Sequence, residues 1–247
     1  MRNAGKTLVL AGAREAHGMI IGLVARGRDV IASLPEPERG VEPLPVPTRV
    51  GTFAGPDGLR DWALSQNVTT VIDASHPFDN DISNQASLFC SRHQVRYMRV
   101  LRSVWLPTGS DQWTSYPTTR AAVAAVPEGA RVFSNTGWGS LPDYADFAGQ
   151  VVYLRQTRMP ATPSPYPYLK FVEGKPPFSQ RQEQALFAAC RITRLICRNV
   201  GGVASMSKLL AARQLGIRVL MVDRPPPPVG ATVVESVAEA LAWEADS

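Results

Sequence analysis

The chain has 247 residues, 45% of them hydrophobic, a size that fits one large sheet or two compact lobes. Its 26 basic and 21 acidic residues leave a net +5, and 22 of the 26 are arginine, which favours anionic partners, although a GC-rich genome would enrich arginine too. Nucleic acid is not favoured, since there is no run of five Lys/Arg, no zinc finger and no RRM-like aromatic motif; a membrane span is not expected either, since no apolar run approaches about 18 residues.

In chain order, strands and helices alternate. KTLVLAG (6–12) reads as a strand and EAHGMIIGLVARG (15–27) as an amphipathic helix with Gly27 just past its end. DVIASL (29–34) is a second strand, followed by a Pro-rich loop (35–47) and an extended piece, TRVGTFAG (48–55). PDGLRDWALSQN (56–67) is a helix with Pro56 near its first turn. TTVIDAS (69–75) is a strand, DNDISNQASLFCSRH (79–93) a helix and VRYMRVL (95–101) a strand. These strands are near-continuous apolar or β-branched runs, as parallel strands covered on both faces require.

The pattern restarts after residues 102–117. TTRAAVAAV (118–126) is a helix, ARVFSN (130–135) a strand, GSLPDYADFA (139–148) a helix and QVVYLRQ (150–156) a strand. A segment with six prolines (159–178) is not regular throughout. The helix QRQEQALFAAC (180–190), the strand ITRLICRN (192–199), the helix SMSKLLAARQLG (205–216), the strand IRVLMVDRP (217–225) and the helix VVESVAEALAWEA (233–245) complete the chain. The fold class is therefore α/β, with doubly wound parallel sheets and right-handed crossovers in two lobes, residues 1–105 and 106–247. Ligands in such folds bind beyond the C-terminal ends of the strands. The three cysteines, Cys90, Cys190 and Cys197, have neither zinc spacing nor a disulfide pattern. They read as small buried hydrophobes in a reducing, cytoplasmic protein without an export signal, and no metal site is expected.

Five loops can carry chemistry. LVLAGAREAHG (8–18) occupies the position of a dinucleotide loop, with Gly12, Ala13, Arg14 and Glu15 at the opening of the first helix, but it is not G-x-G-x-x-G. An ordinary βα turn is the alternative. The second strand ends in Ser33 with Arg39 downstream, where NAD enzymes carry an acid for the ribose. A hydroxyl plus an arginine suits a 2′-phosphate, hence NADPH, while Glu36 and Glu38 are competing ribose ligands. VIDASHPFDNDIS (71–83) ends a strand in Asp73, Ser75, His76, Pro77 and Phe78. A Ser-His-Asp triad is rejected: Asp73 and Ser75 share one strand face and no G-x-S-x-G elbow exists. His76 remains a proton donor, a ligand-positioning group, or a residue that ties down its loop. ICRNVGGVASMSK (196–208) places Arg198, Gly201, Gly202, Ser205 and Lys208 around a second βα turn, where the glycines let backbone approach a ligand. Finally, Arg92, Arg96, Arg99 and Arg102 bracket one strand and Arg155 and Arg158 end another, which reads either as a solvated basic edge or as a polycarboxylate site.

VIDASHPFDNDISNQA resembles the Asp-Ala-Thr-His-Pro-Phe signature of the precorrin-6A reductases of cobalamin biosynthesis. VGTFAGPDGLRDW, LRSVW, PPFSQRQEQALF and CRNVGGVASMSKLLAARQLGIRVLMVDRP are similar to further segments of that family, collinear over nearly the whole chain. The resemblance implies two Rossmann-like lobes with an inter-lobe cleft, the first binding NADPH and the second the substrate. It implies reduction of one double bond of the tetrapyrrole precorrin-6A, or of its cobalt form, to precorrin-6B, with hand-over to neighbouring enzymes of the pathway. On this reading Gly12, Ala13, Arg14, Glu15, Ser33, Arg39, Ser75, His76 and Pro77 hold the cofactor. Phe78, Arg102, Arg155, Arg198, Gly201, Gly202, Ser205 and Lys208 face the substrate, and His76 is the candidate catalytic residue.

This chain departs from the family where Ala11-Gly12-Ala13 replaces Gly-Gly-Thr, Arg198 a Lys, Val200 a Ser, Met206-Ser207 a Tyr-Ala and Trp138 an Arg. Val200 deletes a hydroxyl. These departures keep open a second reading, a relative that binds tetrapyrrole or nucleotide without turnover.

Overall fold

The computed structural model describes residues 5–36, 43–55 and 57–245, so Arg39 and Pro56 lie outside the described residues. The strands are β1 (Lys6–Ala11), β2 (Val30–Leu34), β3 (Thr48–Val50), β4 (Val68–Ala74), β5 (Arg96–Val100), β6 (Trp113–Tyr116), β7 (Arg131–Ser134), β8 (Val151–Gln156), β9 (Leu169–Glu173), β10 (Arg194–Arg198), β11 (Arg218–Val222) and β12 (Thr232–Val234). The helices are α1 (Glu15–Ala25), α2 (Gly58–Ser65), α3 (Asn80–His93), α4 (Thr119–Ala124), α5 (Gln180–Ala189), α6 (Ser207–Gln214) and α7 (Val237–Ala245). None is long and apolar enough to cross a membrane.

The chain forms two compact units, Met1–Ser103 with Pro225–Ser247, and Val104–Arg224. Each contains one six-stranded sheet in which every pairing is parallel. The orders are β3-β2-β1-β4-β5-β12 and β9-β8-β7-β10-β11-β6. In the first, β1 to β3 wind one way and β4 and β5 the other; in the second, β7 to β9 wind one way and β10 and β11 the other, with β6 already at the edge beside β11; each sheet thus has a switch point, at β1/β4 and at β7/β10. In folds of this kind ligands bind beyond the C-terminal strand ends at such a point.

Covering both faces explains the apolar strands. In the first unit Val9, Ala11, Ala32, Ile72 and Met98 pack with Met19, Ile20 and Leu23 of α1 and Ala240 of α7. The alternate residues Leu8, Leu10, Ile31 and Val71 pack with Leu59 and Ala63 of α2 and Ala86 and Phe89 of α3. This is the period-two alternation of a strand. Gly27 stops α1 as expected: at φ 73° it lets its own N–H reach Val24 O (2.9 Å) and that of Arg28 reach Leu23 O (3.2 Å). Cys90 and Cys197 are buried and Cys190 is half-buried. Burial, and secondarily the Asp73 charge, pushes the Cys90 thiol up to about 12.

Four expectations need correction. The second lobe does not run unbroken to residue 247: the chain returns, and β12 pairs with β5 in the first sheet. Residues 233–245 are not one helix, because Thr232–Val234 is taken up as that edge strand and the helix begins at Val237. The connection 102–117 contains β6, which pairs with β11. The helix expected over 139–148 is a 3₁₀ turn over Trp138–Tyr144, since Pro142 lacks the N–H an α-helix needs there.

The returning segment is held by arginines. Arg28 pairs with the buried Glu244 at 2.7 Å, Arg26 donates to Leu241 O, and Arg96 lies over the Trp243 ring at 4.0 Å while donating to Trp243 O at 3.0 Å. Arg96 therefore serves α7. A chain stopped at Arg224 is expected to lose the cooperative unfolding of the first unit, read by near-UV circular dichroism on heating. An unchanged transition would show that β12 and α7 are dispensable.

Candidate functional site

At the switch point of the first unit the loop after β1 meets the loop after β4. The N–H of Ala13 donates to Ala74 O at 2.9 Å. A Cβ at Gly12 would stand 2.9 Å from the backbone N of His76, so only glycine allows this approach. The N-terminus of the eleven-residue α1 opens directly behind it. Such an end attracts anions, and Glu15 stands in its first turn. The Glu15 carboxylate accepts from Arg102 Nη1 at 3.1 Å, so its charge is offset. Arg14 is exposed beside them.

The loop after β4 is braced from beneath. Asp73 is 0% exposed and Arg99 2%. Arg99 Nη1 donates to Asp73 Oδ1 and to Ser75 Oγ, and Nη2 donates to His76 O at 3.1 Å. The same carboxylate accepts from the Ser75 N–H at 3.0 Å and from Tyr97 OH at 2.8 Å. Burial first, and then the Asp73 charge, holds the Tyr97 phenol well above its usual range, so it stays a donor. The His76 carbonyl also accepts the Asp79 N–H at 2.9 Å. His76 Nδ1 accepts the Phe78 N–H at 3.2 Å. A nitrogen that accepts carries no proton, so the neutral imidazole bears its proton on Nε2. His76 thus ties down its loop, and it does so in a single tautomer. Pro77 is buried, and the Phe78 ring lies 6.0 Å from that of His76.

Ser33 is 5% exposed and level with Arg49 of β3. Arg49 donates to Gly51 O and Thr52 O and lies 3.9 Å over the Phe53 ring. Arg49 is thus a cation level with Ser33 on the neighbouring strand.

At the switch point of the second unit, Gly201 and Gly202 have φ of 71° and 76°, a conformation that requires glycine. Asn199 fixes the turn: its Oδ1 accepts the Trp105 N–H at 2.9 Å and its Nδ2 donates to Trp105 O at 3.0 Å. Trp105 Nε1 donates to Gly202 O at 2.8 Å. Lys208, 6% exposed, donates to Ser205 O at 2.6 Å and lies 5.1 Å from the Trp105 ring. Val200 and Met206 pack against the apolar core, so these two departures from the family pattern are absorbed as packing. Trp138 is exposed and lies 5.5 Å from the Phe171 ring.

Arg155 has a different employment from the expected one. It makes a bidentate pair with the buried Glu183 at 2.7 and 2.8 Å, and lies 4.6 Å over the Phe133 ring and 4.0 Å over that of Phe178. Nothing in the local sequence marks Tyr97 or Trp105, and Arg99 stood among the arginines expected to form either a solvated basic edge or a polycarboxylate site. The signal for Asn199 was its place at the last turn of a strand before two glycines. Among the described residues no group of three His, Cys, Asp or Glu could hold a metal ion.

Comparison with known proteins adds a second line of evidence. The model of the family "Precorrin-6x reductase CbiJ/CobK" matches residues 6–245. The chain is 33% identical over 242 residues to the precorrin-6A reductase of Rhodobacter capsulatus, covering 98% of this chain and 96% of that one. It is 34% identical over 203 residues to that of Mycobacterium tuberculosis, covering 82% of each. It is 24% identical to the cobalt-precorrin-6A reductase of Priestia megaterium, over 88% of this chain and 90% of that one. A solved structure titled "CobK precorrin-6A reductase" superposes with a TM-score of 0.89 at 33% identity, covering 98% of this chain and 96% of that chain.

The Arg99–Asp73 pair yields a stability test. Arg99→Met leaves a buried carboxylate without its counter-charge and is expected to cost about 3–5 kcal/mol in urea unfolding. The double variant Arg99→Met/Asp73→Leu is expected to recover much of that loss. A single variant as stable as the parent would show that the pair does not brace the loop.

Proposed function

The chain belongs to the precorrin-6x reductase family of cobalamin biosynthesis, and from that premise we propose that it reduces one double bond of precorrin-6A to give precorrin-6B, with NADPH as reductant. The observation that carries this reading is the close approach of Gly12 to the His76 backbone at the first switch point. That cradle fits a dinucleotide: backbone can come near a pyrophosphate there, and a helix N-terminus faces it. When bound, NADPH supplies the hydride; the protein's part is positioning, charge and control of water.

Gly12, Ala13 and Arg14 form the loop that would hold the pyrophosphate. Arg102 offsets Glu15, so the acid at the helix start does not repel it. Ser33, with Arg49 level beside it, supports a 2′-phosphate and thus NADPH over NADH. Ser75, His76 and Pro77 form a wall held from below by Arg99. The His76 Nε2–H is a hydrogen-bond donor in a fixed orientation, suited to orient a ligand group or the water that delivers the proton. Phe78 extends that wall.

In the second unit the left-handed turn at Gly201 and Gly202 follows Arg198 and leads to Ser205 and Lys208 at the start of α6. The Lys208 ammonium meets a carbonyl, Ser205 O, and no carboxylate pairs with it among the described residues. Arg155 is neutralised by Glu183 and contributes packing instead. Carboxylate side chains of a tetrapyrrole match this residual charge. The product would pass to the neighbouring enzymes of the pathway.

Anaerobic incubation of the protein with precorrin-6A is expected to oxidise NADPH stoichiometrically, and NADH more slowly. Retention of the tetrapyrrole without oxidation would move the assignment to a non-catalytic binder. His76→Ala is expected to lower kcat about 100-fold, in the range of a lost group that directs a proton. An unaltered kcat would assign the imidazole to holding the loop alone.

A further inference from the structure

The second unit holds polar groups that the reading above leaves unused. Asn135 Oδ1, Arg155 Nε and Gln156 Nε2, all at the ends of β7 and β8, are buried without a hydrogen-bond partner. Native proteins leave few such atoms, because an unmade bond in a buried place is costly. Gln156 is 5% exposed, and turning its amide over would only set the carbonyl oxygen in the same position. Arg155 points to the Phe133 side of the sheet, so on the other side it is the Gln156 amide that lacks a polar partner among the described residues.

Strand register shows what surrounds it. Ser134 is level with Leu154 of β8 and with Ile196 of β10. Gln156 and Arg198 each stand two residues further along β8 and β10, past the end of β7, and the Arg198 charge acts on Tyr144, which bonds Thr136. Ser134, Gln156 and Arg198 point to the same face, opposite to Phe133 and Cys197, which pack in the apolar cluster. Gln156 and Arg198 are two strand spacings apart, about 10 Å, so one small group between them can touch both.

On the face that Ser134 shares lies a ring of three hydroxyls, Ser134, Thr136 and Tyr144, with Ser140 bonded to it. Tyr144 OH donates to Ser134 Oγ at 2.6 Å and lies 2.9 Å from Thr136 Oγ1, which lies 2.6 Å from Ser140 Oγ. All four residues are buried. Burial pushes the Tyr144 phenol up to about 12, against the pull of Ser134, Thr136 and the nearby Arg198 charge. The hydroxyls are thus neutral, and the positive charge near them is Arg198.

We propose that Gln156, Arg198 and these hydroxyls form a subsite for an oxyanion at the switch point of the second unit. A donor amide and a guanidinium facing one place select a carboxylate or a phosphate oxygen. The proposal deepens the reductase reading and rests on it: the oxyanion is a carboxylate of the tetrapyrrole or a phosphate of the dinucleotide.

Binding in the full-length protein distinguishes the two and needs no turnover. Affinity for precorrin-6A is read by tryptophan quenching and for NADPH by nicotinamide fluorescence, in the parent, Gln156→Leu and Gln156→Glu. Gln156→Leu is expected to weaken one ligand about 10-fold while Tm holds or rises, since an unpartnered polar group has gone. Gln156→Glu is expected to weaken the same ligand further, by like charge. Loss confined to precorrin-6A identifies a carboxylate, and loss confined to NADPH a phosphate. Parental affinity for both ligands in both variants overturns the proposal. So does a leucine variant that loses stability with affinity while the glutamate variant binds normally. Failure of the parent to oxidise NADPH would count against the reductase reading, and these affinities would still be read.

Discussion

Asp73 ends β4 with none of its surface open to water, and a carboxylate so placed is tolerable only if its charge is met where it lies. Arg99 meets it from the neighbouring strand, and the same guanidinium reaches Ser75 and the His76 carbonyl. The pair is thus more than a local ion pair. It fixes the direction in which the chain leaves the sheet, and that direction sets the His76 backbone against Gly12. The tautomer of His76, the room for glycine alone at position 12 and the opening toward α1 all follow from it. Remove the charge match, and the loop loses what holds it at the switch point.

The two units apply one plan twice. Each parallel sheet reverses its winding at a central pair, and each places its glycine-bearing turn at the reversal. They differ in the polar groups set there. The first offers a tight backbone approach with its nearby acid and base offset against each other, which suits a dinucleotide. The second keeps Lys208 and Arg198 beside left-handed glycines, which suits a substrate with several carboxylates. Much of the arginine content is consumed in construction: Arg26, Arg28 and Arg96 hold α7, Arg99 braces a loop, and Arg155 joins β8 to α5.

How much of this could be read beforehand depended on how local the cause was. The buried strands were legible because their apolar runs are contiguous, and so were the α1 stop at Gly27 and the turn at Gly201-Gly202, which need glycine for reasons of backbone alone. The cluster at Asp73–Phe78 was legible as unusual chemistry at a strand end. The roles of Arg99 and Arg155 were not, because their partners lie 26 and 28 residues away and nothing in the local sequence marks the arginine that turns inward. β12 escaped because three residues carry no period of their own; they become a strand only when β5 offers an edge. Gln156 looked like any strand end, and its significance appears only when register sets it across from Arg198.

The central claim is that the two switch points divide the ligands, the first taking the dinucleotide. Hydrogen–deuterium exchange of the protein with and without saturating NADPH tests it most directly. The account expects slower exchange at residues 12–16 and 74–78, where the N-terminus of α1 and the loop braced by Arg99 enclose the cofactor. Slower exchange at residues 134–140 and 199–205, with the first switch point unaffected, would contradict it.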